Sequence, residues 1–415
     1  MTLPGSPNPS RRPDGPRTAG STAAGPQTAP AELQAATRLS AHPGFVPLAP
    51  RRAGLVVAAV LGIALAALAA LVAAAYLLLS LGAATFVAAI LALIPLTIVL
   101  LGIRWVDRWE PEPLPARIFA GLWGAGVAVV VALAVGAQVD RVLAAGNVDP
   151  GSVGAQFFGS VVQAPIVEEG AKGLGVLLVF LVARRLFDGP VDGVVYAATV
   201  GAGFAFTENV LYFGRDIAEG GSAGSVALTF FLRGVLSPFA HVMFTSMTGL
   251  AIGIAASRGG RGAGVLAYFL GLIPASLLHA LWNGSSYFTN GLAGYLGFYA
   301  IVQIPLFIGL VLIVVYLRRQ EARQTATRLS EYAAAGWFNP AEVVSLATPA
   351  GRRQARAWAS RHGRGPAMRA YIRDATRLAA ARQRIVADRN RSGAQQDEAR
   401  LLASITAERR ALLGV

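Results

Sequence analysis

Eight polar side chains, six of them able to move protons or hold charge, stand out in the middle of this sequence, because the residues around them are almost all apolar: Glu168, Glu169 and Lys172, then Glu208 and Asn209, then His241, then His279 and Asn283. Two adjacent carboxylates repel each other, which suits one of them to take a proton from water as a general base. Glu168 and Lys172 are four residues apart, in the order that favours an ion pair along a helix. Glu169 then points about 100° away and serves as a separate base or as a strut. His279 and Asn283, also four apart, share a helix face and offer donors that can converge on a developing oxyanion. Lys172 is the single lysine against 35 arginines, a bias that marks it as chosen for its compact ammonium. Taken alone, His241 reads equally well as an interhelical hydrogen bond and Asn209 as a cap or bridge; Glu208 and His279 are what draw them into the group.

The elements that must position these groups follow from composition. The 415 residues are 54% apolar and 14% charged, with a mean hydropathy of +0.54, whereas a soluble chain carries about 25% charge. This excludes an ordinary soluble protein and predicts an all-α, polytopic membrane protein. No cysteine is present and only four histidines are, which removes disulfides, thiolate metal sites and cysteine nucleophiles. A span needs roughly 20 mainly apolar residues. Residues 53–103 contain no charge, enough for two spans turning near Ser80, Leu81 and Gly82, and further spans are expected at about 118–139, 157–183, 191–213, 226–256, 263–283 and 291–317. The expectation is eight transmembrane helices.

The net charge of +14 is unevenly placed: residues 1–52 hold six Arg against two acids, residues 318–415 hold nineteen against eight, and the middle is nearly neutral. The domain reading is therefore a disordered Pro, Gly, Ser and Thr-rich tail at 1–52, too long and polar for a cleaved leader, a membrane core at 53–317, and an Arg-rich helical tail at 318–415. Asn339 before Pro340 and Glu342, and Thr348 before Pro349, are helix starts, and segments 368–389 and 397–413 suit a helical hairpin. Arginines flank alternate loops: Arg51 and Arg52; Arg104, Arg108 and Arg117; Arg184 and Arg185; Arg258 and Arg261; Arg318 and Arg319. The positive-inside rule then puts both termini in the cytoplasm of a multi-pass cell-membrane protein. Arg141, Arg215 and Arg233 are left to the other side, and Trp282 reads as an interfacial anchor.

Each ionisable group inside a span costs about 2.5 to 3.5 kcal/mol on insertion scales. Glu168 falls about 16 Å below the outer surface at 1.5 Å per residue, and Glu208, His241 and His279 belong to the same outer half. Four helices carrying such groups to one depth imply a polar, hydrated cavity. Asp107, Glu110 and Glu112, within Asp-Arg-Trp-Glu-Pro-Glu-Pro, fall on the opposite side and read as a rigid proline-set loop.

The sequences Glu168-Glu169-Gly-Ala-Lys172, Phe204-Ala-Phe-Thr-Glu208-Asn209, His241-Val-Met-Phe-Thr245 and His279-Ala-Leu-Trp282-Asn283, in that order on successive spans, resemble the PrsW family of intramembrane proteases. The Asp107 to Pro113 loop resembles that family too, and the likeness covers roughly residues 53–317. It implies a glutamate-dependent, metal-independent peptidase related to the CAAX-processing endoproteases, of the kind associated with first-site cleavage of a membrane-anchored anti-sigma factor. Carried over, Glu168 and Glu169 would activate water, His279 and Asn283 would stabilise the oxyanion, and Glu208 and His241 would orient water or protonate the leaving amine. Glu208 stands where the CAAX relatives have histidine, so its role and that of His241 stay interchangeable.

The reading is an endopeptidase with no cofactor, acting on a single-pass membrane protein in the bilayer, with Lys172 and Asn209 in support. One rival is a zinc hydrolase with Glu208, His241 and His279 as ligands, against which stands the lack of a His-Glu-x-x-His helix. Another is an ion- or proton-coupled transporter or scaffold using Glu168, Lys172 and Glu208 as a relay. The Arg-rich tail suits an anionic leaflet, at up to about 1 kcal/mol per basic residue, and no nucleic acid is expected as a partner.

Overall fold

The computed structural model describes residues 52–184, 187–258, 261–387 and 391–414. The expected tail at 1–52 lies, except for Arg52, outside the described residues. Every element among those described is helical. Eight helices make up the membrane core: α1 (Arg52–Leu81), α2 (Ala84–Val106), α3 (Leu114–Ala145), α4 (Val153–Phe157 running through a π-helical stretch, Phe158–Gln163, into Ala164–Val182), α5 (Pro190–Ala218), α6 (Ala223–Arg258, interrupted at 237–239), α7 (Arg261–Phe288) and α8 (Gly291–Ala334). Seven of them are long and apolar enough to cross a membrane. The exception is α4, whose Ala164–Val182 part carries Glu168, Glu169 and Lys172; three charged side chains within one span's length set it apart from the others.

The turn between α1 and α2 falls where the apolar run allows it, with Gly82 at φ +56°, a backbone conformation that costs a glycine nothing. At the centre of the bundle lies α5, the most enclosed of the long helices, packed between α2 and α6, while α7 covers α6 and α4. Close approach is set by small residues. A Cβ on Gly201 of α5 would come within 2.8 Å of the His241 carbonyl on α6, and one on Gly193 within 2.0 Å of the Gly249 carbonyl. Without side chains at these points the two backbones nearly touch, which is how lipid-embedded helices pack in the absence of a hydrophobic drive between them. That contact brings Glu208 within reach of His241.

Four π-helical stretches, Trp123–Ala128, Phe158–Gln163, Phe231–Leu236 and Tyr299–Gln303, interrupt α3, α4, α6 and α8. An extra residue in a turn loosens the backbone ladder and leaves carbonyls for other helices to claim. Thr207 Oγ1 donates to the Ala125 carbonyl at 2.9 Å, Asn283 Nδ2 to that of Ser160 at 2.9 Å and the Tyr299 hydroxyl to that of Leu236 at 2.8 Å. Trp282 packs edge-on against Phe244 and Tyr299.

Beyond α8 four further helices follow: α9 (Pro340–Ala347), α10 (Pro349–Arg361), α11 (Gly365–Val386) and α12 (Arg391–Leu413). Asn339 and Glu342 form a reciprocal cap, and Thr348 accepts from Gly351 N at 3.0 Å. These helices share an apolar core with the end of α8, built on Leu329, Phe338, Leu346, Ile372, Leu378 and Ile405.

They also grip the Asp107 to Pro113 loop, in which Asp107, Trp109 and Glu112 are buried while Arg108 and Pro111 stay exposed. Asp107 accepts from Glu112 N and pairs with Arg117, both at 2.9 Å, and Tyr196 of α5 donates to Glu112 at 2.6 Å. From α10, Arg352 donates to the Trp109 carbonyl at 2.7 Å and stacks 3.5 Å over that ring; from α11, Arg384 pairs with Asp188. Burial and the Asp188 and Asp192 carboxylates push Glu110 up to about 8, partly opposed by Arg377 and Arg384. Its folded value lies above the ordinary 4.5, so its contribution to the junction is complete below pH 4.5 and is lost as pH rises through 8. Limited trypsin digestion, corrected for the enzyme's own pH profile, should release the C-terminal helices faster at pH 9 than at pH 6.5. Glu110→Gln should flatten that difference.

Candidate active site

Glu169 is where the polar cluster is anchored. Its side chain is wholly buried and accepts from Lys172 Nζ at 2.8 Å and from Thr245 Oγ1 of α6 at 2.8 Å, with His279 Nδ1 of α7 at 3.1 Å. Three partners from three helices compensate a buried carboxylate and leave it little capacity for a further ligand. Lys172 is equally buried and sits 3.1 Å from Glu168 Oε2, 3.0 Å from His241 Nδ1 and 3.7 Å from the centre of the Phe204 ring. The single lysine therefore holds both glutamates rather than Glu168 alone, because on a helix the i+3 and i+4 directions are close enough for one flexible ammonium to serve both.

Glu168 is placed differently. Among the described residues its one hydrogen-bond donor is Lys172, His279 Nε2 lies 3.9 Å away, and its side chain keeps 12% exposure. With Nδ1 of His279 turned to Glu169, Nε2 faces Glu168, a tautomer choice imposed by the second carboxylate. Phe244 stacks on the His279 ring with centroids 4.8 Å apart and fixes its plane.

On the other side of Lys172, Glu208 Oε2 of α5 is 2.6 Å from His241 Nε2 and 2.7 Å from Arg233 Nη2. These are ion-pair contacts without hydrogen-bond alignment. Arg233 also donates to Asn209 Oδ1 at 3.1 Å and stacks 3.8 Å over Tyr212. The structure thus brings together Glu168, Glu169, Lys172, Glu208, His241 and His279. Asn209 reaches the cluster through Arg233. Asn283 is tied to α4 instead: one N–H of its amide donates to the Ser160 carbonyl at 2.9 Å, one turn beyond His279.

Two contributors were not assigned from sequence. Arg233 was counted as a flank of a span, although it lies inside the apolar stretch 226–256, and an arginine there is the same signal as a buried glutamate. Thr245 is part of the His241 motif, and nothing in its residue type marks it as a carboxylate's partner.

In formal charges the cluster holds three carboxylates, Glu168, Glu169 and Glu208, against two fixed cations, Lys172 and Arg233. One more positive charge, carried by a proton or a metal ion, would balance it. Glu168, His241 and His279 each offer a ligand atom, all within 4.8 Å of one another. One carboxylate and two imidazoles are a donor set found at catalytic zinc, so the residue types fit such an ion. Glu168 Oε2 and His279 Nε2 lie 3.9 Å apart, against roughly 3.4 Å between ligand atoms of a tetrahedral zinc with ~2.1 Å bonds, and Lys172 already engages Glu168 and His241.

Residues 112–310 match the model of a family described as PrsW family intramembrane metalloprotease. Protease PrsW of Clostridioides difficile is 31% identical over 194 residues, covering 47% of this chain and 76% of that protein. Protease PrsW of Bacillus subtilis is 30% identical over 131 residues, covering 31% and 55%, and that of Geobacillus kaustophilus is 30% identical over 147 residues, covering 35% and 57%. No solved structure matches the chain. The matched segment contains all the clustered side chains from Glu168 to His279, and with a relative so largely covered the chain belongs to the PrsW family of membrane proteases.

Proposed function

We propose that the chain is an intramembrane endopeptidase in which Glu168 activates water to cleave a single-pass membrane protein, an anti-sigma factor being the leading candidate. The observation that carries this reading is the contrast between the two adjacent glutamates: Glu169 is saturated by three partners and wholly buried, and Glu168 has one donor and keeps part of its side chain open. A water beside Glu168 would give it a proton as its oxygen bonds to the scissile carbonyl carbon. The proton would pass from Glu168 to the leaving amine nitrogen as the C–N bond breaks. Glu169 holds His279 and Lys172 in register. Positive charge on Lys172 and on Arg233, together with the imidazoles, offsets the oxyanion. Asn283 is better read as the tie that holds α7 to α4.

The same cluster supports a second reading, with Glu168, His241 and His279 as the residues that would hold a metal ion. Such an ion would polarise the carbonyl or acidify water. Metal removal separates the two. After treatment with a strong chelator and dialysis, the glutamate reading expects unchanged cleavage by the reconstituted protein. Loss of cleavage that added zinc restores would move the assignment to the metal.

Both termini are assigned to the cytoplasm, on the arginine pattern, with the cluster in the outer half of the bilayer. The Arg-rich helices beyond α8 would then lie against the inner leaflet, although Arg352, Arg382, Arg384 and Arg409 are already engaged within the protein.

A further inference from the structure

Beside the charged cluster lies a half-open apolar cavity of about 350 Å³ between α2, α6, α7 and α8. It shares its walls with the cluster. Ala240 precedes His241, Gly234 follows Arg233, and Trp282 stands one residue before Asn283 and one turn after His279, all three lining the cavity. One side chain in it is out of place. Gln303, at the end of the π-helical stretch of α8, is 1% exposed, and neither atom of its amide has a hydrogen-bond partner. Leaving a buried amide unpaired costs roughly 1 to 3 kcal/mol per group, so a partner that supplies both an acceptor and a donor is to be expected there.

We infer that this cavity is the docking groove for an unwound stretch of the substrate's transmembrane segment, with Gln303 pairing one of its exposed peptide groups. The inference rests on the protease reading and names the form in which that substrate is held. A glutamine amide offers one N–H donor and one C=O acceptor, the complement of a peptide group. An intact transmembrane helix has no free peptide group to give, since its backbone is bonded internally, and a lipid acyl chain has no polar atom at that depth. An unwound segment has both, and an extended backbone is also what an attacking water must reach. The apolar remainder of the groove suits the aliphatic side chains of such a segment. Continuity with the Arg233, His241 and His279 helices would lead the chain from Gln303 toward Glu168.

The chain contains no cysteine, so a single introduced cysteine reports without background. Ile94→Cys, on the groove lining and 51% exposed, would be placed in the Glu168→Gln protein, reconstituted in liposomes, to block turnover during the measurement. Two lysine-flanked Leu/Ala transmembrane peptides serve as probes, each with one cysteine, one carrying Gly-Gly-Pro in place of three leucines. The broken peptide should form the disulfide cross-link at least about five-fold more than the unbroken one, the worth of one hydrogen bond. Gln303→Leu should bring the two to the same level. Val235→Trp, on the exposed rim of the groove, should lower the broken peptide's yield with little risk to the fold. Equal yields for both peptides in the parent, or a preference that survives Gln303→Leu and Val235→Trp, would overturn the assignment and leave the cavity to lipid. Because cross-linking is read without catalysis, the groove can fail while the protease reading stands, and the reverse.

Discussion

Replacing Glu168 by Gln is expected to lower cleavage of a reconstituted single-pass substrate by at least ~10²-fold, the usual worth of a general base, while the protein stays folded. The amide keeps the size of the side chain and can still accept from Lys172 through its oxygen, so what is lost is the ability to take a proton. The reading by which Glu168 is the open carboxylate predicts an asymmetry with its neighbour. Glu169→Gln removes the buried negative charge that pairs with the Lys172 ammonium, and its NH₂ group can be satisfied at Thr245 only if that hydroxyl turns from donor to acceptor. Its effect should therefore include a fall in thermal stability, which Glu168→Gln should not show. Parallel measurements of cleavage rate and melting temperature on the two variants check this, and equal destabilisation by both would contradict the division of roles.

The second large effect is expected at Lys172. Lys172→Met preserves the stem and removes the charge, leaving Glu169 buried with two partners and Glu168 with none of its present donors. Breaking a buried ion pair on one side costs about 3 to 5 kcal/mol, so both stability and activity should fall. Lys172→Arg should not restore them. The site is closed around a compact ammonium, with the Phe204 ring centre 3.7 Å away, and a planar guanidinium is longer and requires different partners. Expression level, melting temperature and cleavage measured together on Met and Arg variants test the point. A stable, active Lys172→Arg protein would show that the ammonium's shape is immaterial.

The identity of the clustered residues was legible in the sequence because lipid makes polar side chains conspicuous. Glu168, Glu208, His241 and His279 could be drawn together from depth alone, since each was too expensive to stand by itself. Helix limits were legible for the same reason, down to the turn at Gly82. Orientation around each helix axis was not. Periodicity placed Glu169 about 100° from Glu168 and so gave Lys172 to one partner, whereas a flexible side chain spans both. Asn283 shares a face with His279, yet a π-helical turn in α4 offers it the Ser160 carbonyl, and irregular turns leave no mark in hydropathy. The Asp107 to Pro113 loop read as no more than a rigid proline-set loop because the partners of Trp109 and Glu112, Arg352 and Tyr196, are 243 and 84 residues distant. Long-range contacts of that kind follow from packing, which one sequence does not encode in any local pattern.

Hydrolysis of a peptide bond in the membrane with Glu168 as the proposed base leaves a signature in the mass of its products. A single-pass substrate is incubated in liposomes with the purified protein in water enriched in oxygen-18 and read by mass spectrometry. Two fragments are expected whose masses sum to the substrate plus one water, with the heavy oxygen in the new carboxyl terminus, and at least ~10²-fold less of them with the Glu168→Gln protein. Cleavage at the normal rate by a protein carrying Gln at both Glu168 and Glu169 would contradict this role for Glu168.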